Sequence, residues 1–130
     1  MILSKELLKV SSGTPPADAM FEMLKKINLF RTAYGKPMIP TSYYRSPEKQ
    51  REIYAKKGIT DESKIPMGSM HLKGLACDFS DSKGELDEFC QKNVPLLENI
   101  GLWIEAPEYT KGWCHMQIRP PKSLKRFFIP

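Results

Sequence analysis

Three residues in this chain have the types and spacing that metal chemistry needs. His71 stands in the run Ser69-Met70-His71-Leu72-Lys73-Gly74-Leu75-Ala76-Cys77-Asp78, which ends on a carboxylate. The chain's other histidine, His115, lies in Gly112-Trp113-Cys114-His115-Met116-Gln117. Two imidazoles and one carboxylate suffice to hold a catalytic zinc that keeps an open position for water. For that chemistry His71, Asp78 and His115 must meet in space, so the elements that carry them have to converge.

Alternation supplies the first two elements. Gly74 to Ser80 reads as a strand in which Leu75, Cys77 and Phe79 face a core. Gly74, Ala76, Asp78 and Ser80 take the other face, where small residues leave room around the carboxylate. Trp113 to Arg119 reads the same way: Cys114, Met116 and Ile118 face the core, and Trp113, His115, Gln117 and Arg119 share the opposite face. Cys77 and Cys114 therefore point away from any site. Adjacent strands lie about 4.8 Å apart, so Asp78 and His115 converge if their strands are neighbours. His71 precedes its strand in a loop that can fold over the same face.

Helices frame these strands. Ser4 is expected to cap a short helix from Lys5 to Val10. Thr14-Pro15-Pro16 reads as a second helix start, and Ala17, Met20, Phe21, Leu24 and Ile27 follow at helical spacing up to a stop at Gly35. Residues 37–45 are β-branched and aromatic but contain prolines, which predicts an edge strand. Ser46-Pro47-Glu48 is a helix start, and the helix runs to Lys57 before Gly58. Arg45 thus stands at a strand-to-helix junction. Residues 59–68 form a loop. Helices follow over Glu85–Lys92 and Pro95–Asn99, then a strand over Leu102–Glu105. The basic, apolar tail from Lys122 is expected to dock Phe127, Phe128 and Ile129 on the body.

The bulk numbers restrict the function classes. A chain of 130 residues with 41% hydrophobic content fits one compact domain, residues 1–130, with a real core. The net charge of +5 favours anionic partners, including bacterial cell-wall polymers. The basic residues are scattered, which argues against nucleic acid as the partner. No stretch approaches the ~18 apolar residues of a membrane span. The N-terminus is too short and charged for a signal peptide, so cytoplasmic synthesis is expected. The three cysteines contain no C-x-x-C pair and predict buried thiols rather than a disulfide framework.

The run Ser69 to Asp78 resembles the Ser-x-His-x-x-Gly-x-Ala-x-Asp pattern of the peptidase M15 family. Ser42-Tyr43-Tyr44-Arg45-Ser46 and Trp113-Cys114-His115 resemble two further blocks, in the family's order. That family includes zinc D-Ala-D-Ala carboxypeptidases, vancomycin-resistance dipeptidases and phage endolysin L-alanyl-D-glutamate peptidases. The resemblance implies an α+β fold shared with the hedgehog signalling domain, a small antiparallel sheet with helices packed mainly on one face. It implies one zinc ion on His71, Asp78 and His115, and Arg45 polarising the substrate or its transition state. It also implies that Ser69 helps hold the peptide, and Trp113 and Gln117 are expected beside it as substrate-binding residues.

The chain departs from the family at one place. Many members carry the general base, Glu or Asp, three residues before the last histidine ligand, and that position here is Gly112. Glu105 is the first candidate for the base, because it ends a strand joined by a short loop to the His115 strand. Glu108 is the second candidate and Asp81 the third. The expected function is a zinc metallopeptidase cutting an amide in the peptide stem of peptidoglycan. It would be a monomer that acts on the wall after release, as a phage-type lysis enzyme does, or a D-Ala-D-Ala carboxypeptidase. A non-catalytic zinc module that binds wall peptide or a protein partner is the alternative.

Overall fold

Asp78 and His115 meet because their strands are hydrogen-bonded neighbours with those two residues in register. The computed structural model describes residues 1–130 and contains one five-stranded sheet. The strands are β1 (Pro40–Ser42), β2 (Ala76–Asp81), β3 (Trp103–Glu105), β4 (Gly112–Gln117) and β5 (Phe127–Phe128), in the spatial order β1-β2-β4-β3-β5. β1 pairs with β2, β2 with β4, and β3 with β4, all antiparallel. β5 runs parallel to β3. The α+β class agrees with the expectation, and the tail adds a parallel pair to the otherwise antiparallel sheet.

The predicted alternation sets the two faces. Cys77 and Phe79 of β2, Cys114 and Met116 of β4 and Ile104 of β3 are fully buried on one side. Four helices cover that side: α1 (Ser4–Lys9), α2 (Ala17–Tyr34), α4 (Glu85–Lys92) and α5 (Val94–Ile100). They contribute Leu7, Met23, Ile27, Phe30, Leu86, Cys90 and Leu97 to the same core. The remaining helix, α3 (Pro47–Ala55), stands beside the opposite face, where its Gln50, Ile53 and Tyr54 line a cleft with Asp78 and His115.

Some boundaries move, for local steric reasons. Ser4 is the first residue of α1, and Leu3 occupies the cap. α2 starts at Ala17 rather than at Thr14. Each of Thr14 and Pro15 precedes a proline, which disfavours helical backbone there. Gly35 ends α2 in the left-handed conformation at φ 74°, as expected. Ser46 caps α3 by accepting from the Lys49 amide at 3.1 Å. β4 ends at Gln117, so Arg119 leaves the site face; its guanidinium grips Glu22 of α2 at 2.7 and 2.9 Å. In the tail Phe128 is buried, whereas Ile129 is exposed.

Candidate metal centre

His71 and His115 each direct one ring nitrogen at the same carboxylate oxygen. His115 Nδ1 lies 2.8 Å from Asp78 Oδ1, and His71 Nε2 lies 3.2 Å from it. One donor atom from each of the three residues lies within 4.8 Å of the others. All three side chains are buried, at 3% exposure for His71, 6% for Asp78 and 8% for His115. Burial alone would raise the Asp78 pKa, but the hydrogen bonds and charges of His115 and His71 outweigh it. They hold its carboxyl well below the usual carboxylate range. Asp78 therefore stays an anion at any working pH, as a metal ligand must.

The outward nitrogens fix which tautomer each imidazole adopts. His71 Nδ1 is 2.6 Å from the Tyr43 carbonyl, which only accepts, so that nitrogen carries the proton and Nε2 faces inward with its lone pair. His71 itself sits on a 3-10 turn, Met70–Lys73, started by Ser69, whose Oγ accepts from the His71 amide at 3.3 Å. His115 Nε2 is 2.9 Å from Gln117 Oε1. The Gln117 amide cannot reverse without loss, because its Nε2 donates to the Arg119 carbonyl at 3.0 Å. Nε2 of His115 is thus the donor, and Nδ1 is free for a metal. Without a metal, Nδ1 also faces an acceptor, and although burial disfavours the charged ring, the Asp78 bond raises the His115 pKa.

This donor set fits a divalent ion that favours nitrogen and carboxylate ligands. It offers three protein donors beside one cleft, with both imidazoles oriented by outward hydrogen bonds, and a metal held by three such ligands would keep a position for water. The free thiols of Cys77 and Cys114 are buried in the core and take no part, as the alternation predicted.

Arg45 arrives from the strand-to-helix junction. Its Nη2 lies 3.7 Å from Asp78 Oδ2 and its Nη1 donates to Gln50 Oε1 at 3.5 Å. Its backbone amide donates to the His71 carbonyl at 3.1 Å, which ties the junction to the histidine turn. Gln50 was not foreseen. It is fully buried on the inner face of α3 and also donates to the Pro66 carbonyl at 3.0 Å. Its only sequence signal is a polar residue sharing a helix face with Ile53 and Tyr54. The tail docks Phe128 at the site itself, where its ring meets the His115 ring edge-on at 5.8 Å.

Among the candidates for a base, Glu105 reaches the site. The β3–β4 register pairs Trp103 with Gln117 and Ile104 with Met116, and continuing it sets Glu105 level with His115. Glu105 and Asp78 are the two acids that line the cleft, which measures about 590 Å³. Burial pushes the Glu105 carboxyl up, partly offset by His115 and reinforced by Asp78 and Asp87. Glu108 lies in the 3-10 turn Pro107–Tyr109 away from the cleft lining. Asp81 is committed elsewhere, accepting from the Leu86 and Asp87 amides at the start of α4, both at 2.9 Å. Gly112 has φ 88°, a backbone conformation that a Glu or Asp would adopt only with strain. Ser69, Trp113 and Gln117 all line the cleft, although both ends of the Gln117 amide are engaged within the protein.

A family model described as Peptidase M15 matches residues 2–101. The chain belongs to the peptidase M15 family. The matched span includes Arg45, His71 and Asp78 and ends before Glu105 and His115, which the fold brings to the same cleft. No curated protein and no solved structure matches the chain. Family and donor set together support a metallopeptidase, with His71, Asp78 and His115 able to hold its metal ion.

Proposed function

We propose that this protein is a zinc-dependent metallopeptidase that hydrolyses an amide bond in peptidoglycan stem peptides. It would act as a phage-type lysis enzyme or as a D-Ala-D-Ala carboxypeptidase. The observation that carries the reading is a second, unliganded carboxylate, Glu105, in the same cleft as the His71–Asp78–His115 group. Zn²⁺, when bound, supplies Lewis acidity to the scissile carbonyl and lowers the pKa of a coordinated water to about 7.

The chain's own groups divide the remaining work. Glu105 accepts a proton from the attacking water as the oxygen–carbon bond forms. It returns that proton to the amine nitrogen as the carbon–nitrogen bond breaks. Its raised pKa brings base and water closer in proton affinity. Arg45, held by Gln50 and Asp78, directs a guanidinium at the oxyanion that develops on the carbonyl. Ser69 and Trp113 contact the peptide from the cleft walls.

Purified sacculi test the reading. Incubation should release stem-peptide fragments, identified by mass spectrometry, and a chelator should stop the release. Glu105→Ala should abolish cleavage while bound zinc persists. If zinc is held stoichiometrically and no wall peptide is cut, the protein is a binding module instead.

A further inference from the structure

One wall of the cleft has a cation that the catalytic reading leaves unused. Gln50, Ile53, Tyr54 and Lys57 follow helical spacing along α3 and the turn that closes it, and all four line the cleft. Gln50 marks the inner end of this wall, where it holds Arg45 beside Asp78. The Lys57 backbone lies about two helical turns further along, at ~10 Å of axial rise, and its side chain folds back. Its ammonium rests over the Tyr54 ring, 4.8 Å from the centroid.

The charge bookkeeping around α3 sets Lys57 apart. Lys49 and Lys56 pair with Glu52, and Arg51 pairs with Glu62. Arg45 pairs with Asp78. Lys57 has no carboxylate within ion-pair reach, yet it is the one lysine that lines the cleft. The lining cations Arg45 and Lys57 balance the lining acids Asp78 and Glu105, so a divalent ion on the triad leaves the cleft with a positive excess. Such a cleft favours an anionic substrate.

We infer that Lys57, oriented by Tyr54, is a specificity residue that binds a free carboxylate of the substrate. The aromatic ring holds the ammonium by a cation–π contact and shields one side from water, which orders it before substrate arrives. The carboxylate then binds at the Tyr54–Lys57 part of the α3 wall, away from the Gln50 end that holds Arg45. The substrate class is therefore an acidic peptide with its charge remote from the scissile amide. This rests on reading the cleft as a peptidase site.

The test separates binding from cleavage. The probe is the tetrapeptide L-alanyl-γ-D-glutamyl-L-lysyl-D-alanine, with its two carboxylates free or amidated singly. Binding is measured by calorimetry on zinc-loaded protein in a Glu105→Gln background, so that the peptide survives. Amidating one of the two carboxylates should weaken binding about tenfold, the scale of a charge-assisted hydrogen bond. Lys57→Ala should cause a similar loss with the free acid and none with that amide, while Lys57→Arg should retain affinity. Equal affinity for acid and amides, or equal loss from Lys57→Ala on all three peptides, overturns the carboxylate subsite. Cleavage by the wild-type protein is scored separately. Cleavage without a Lys57 effect leaves the peptidase reading intact and the subsite refuted. Lys57-dependent binding without cleavage upholds the subsite and refutes the peptidase.

Discussion

At the scale of the residue, Gln117 decides which nitrogen of His115 can bind a metal. Its Oε1 takes the Nε2 proton, and its own amide is anchored on the Arg119 carbonyl. Gln117→Leu keeps the volume but frees the ring to change tautomer. Metal affinity should fall about 10–100-fold, measured by competition with a chromophoric chelator. Glu105→Gln should have the opposite profile, with zinc content unchanged and the cleavage rate down about 10²–10⁴-fold. Because burial raises the Glu105 pKa, cleavage by the wild type should decline as pH falls through that raised value. Glu105→Gln should lack that decline in whatever residual rate remains.

At the scale of the element, the 3-10 turn that carries His71 depends on Gly74. That residue has φ 72°, and an added Cβ would meet Tyr43 Oη at 3.2 Å and the Ala19 Cβ at 3.3 Å. The Tyr43 hydroxyl also donates to the Gly74 carbonyl at 2.8 Å. Gly74→Ala should therefore cost about 1–2 kcal/mol from backbone strain alone, with further loss from crowding, seen as a lower urea midpoint. Metal affinity should drop with it, because the turn aims Nε2 of His71.

The start of α4 behaves differently. Asp81 caps the helix, and Asp87 lies buried beside it with Oδ1 unpartnered. Desolvation, reinforced by the Asp81 charge, raises the Asp87 pKa from 3.8 to about 6. The folded state thus holds a proton that the unfolded chain releases above its ordinary pKa. The stabilisation is full below 3.8 and is lost as pH rises through about 6. Urea unfolding from pH 4 to pH 7 should show this decline, at most about 3 kcal/mol, and Asp87→Asn should flatten it.

At the scale of the molecule, His71, Asp78 and His115 bring together parts of the chain that meet only in the folded state. A metal that binds this arrangement and not the unfolded chain stabilises the fold by linkage. At a free concentration 100 times its dissociation constant the gain is about 2.7 kcal/mol. Chelation should lower the melting temperature, and added zinc should restore it. The His71→Ala variant should show no response to either treatment. The sheet also gains from its tail: β5 pairs with β3, the Ala106 amide just past β3 donates to the Phe128 carbonyl at 2.8 Å, and Phe128 packs against His115.

Local pattern alone determined a good part of this protein. Period-two alternation put Asp78 and His115 on a sparse polar face and sent Cys77 and Cys114 to the core, because side-chain direction in a strand follows from sequence position. Ser46 and Gly35 marked helix ends through their own hydrogen-bonding and conformational chemistry. Strand order and register belonged to the tertiary structure, since both arise from contacts distant in sequence. Only there does Asp78 stand opposite His115, does the Tyr43 carbonyl select the His71 tautomer, and do Glu105 and Lys57 enter the same cleft. The parallel docking of β5 is of the same kind: a two-residue strand carries too little pattern to announce its partner, and packing against β3 decides it.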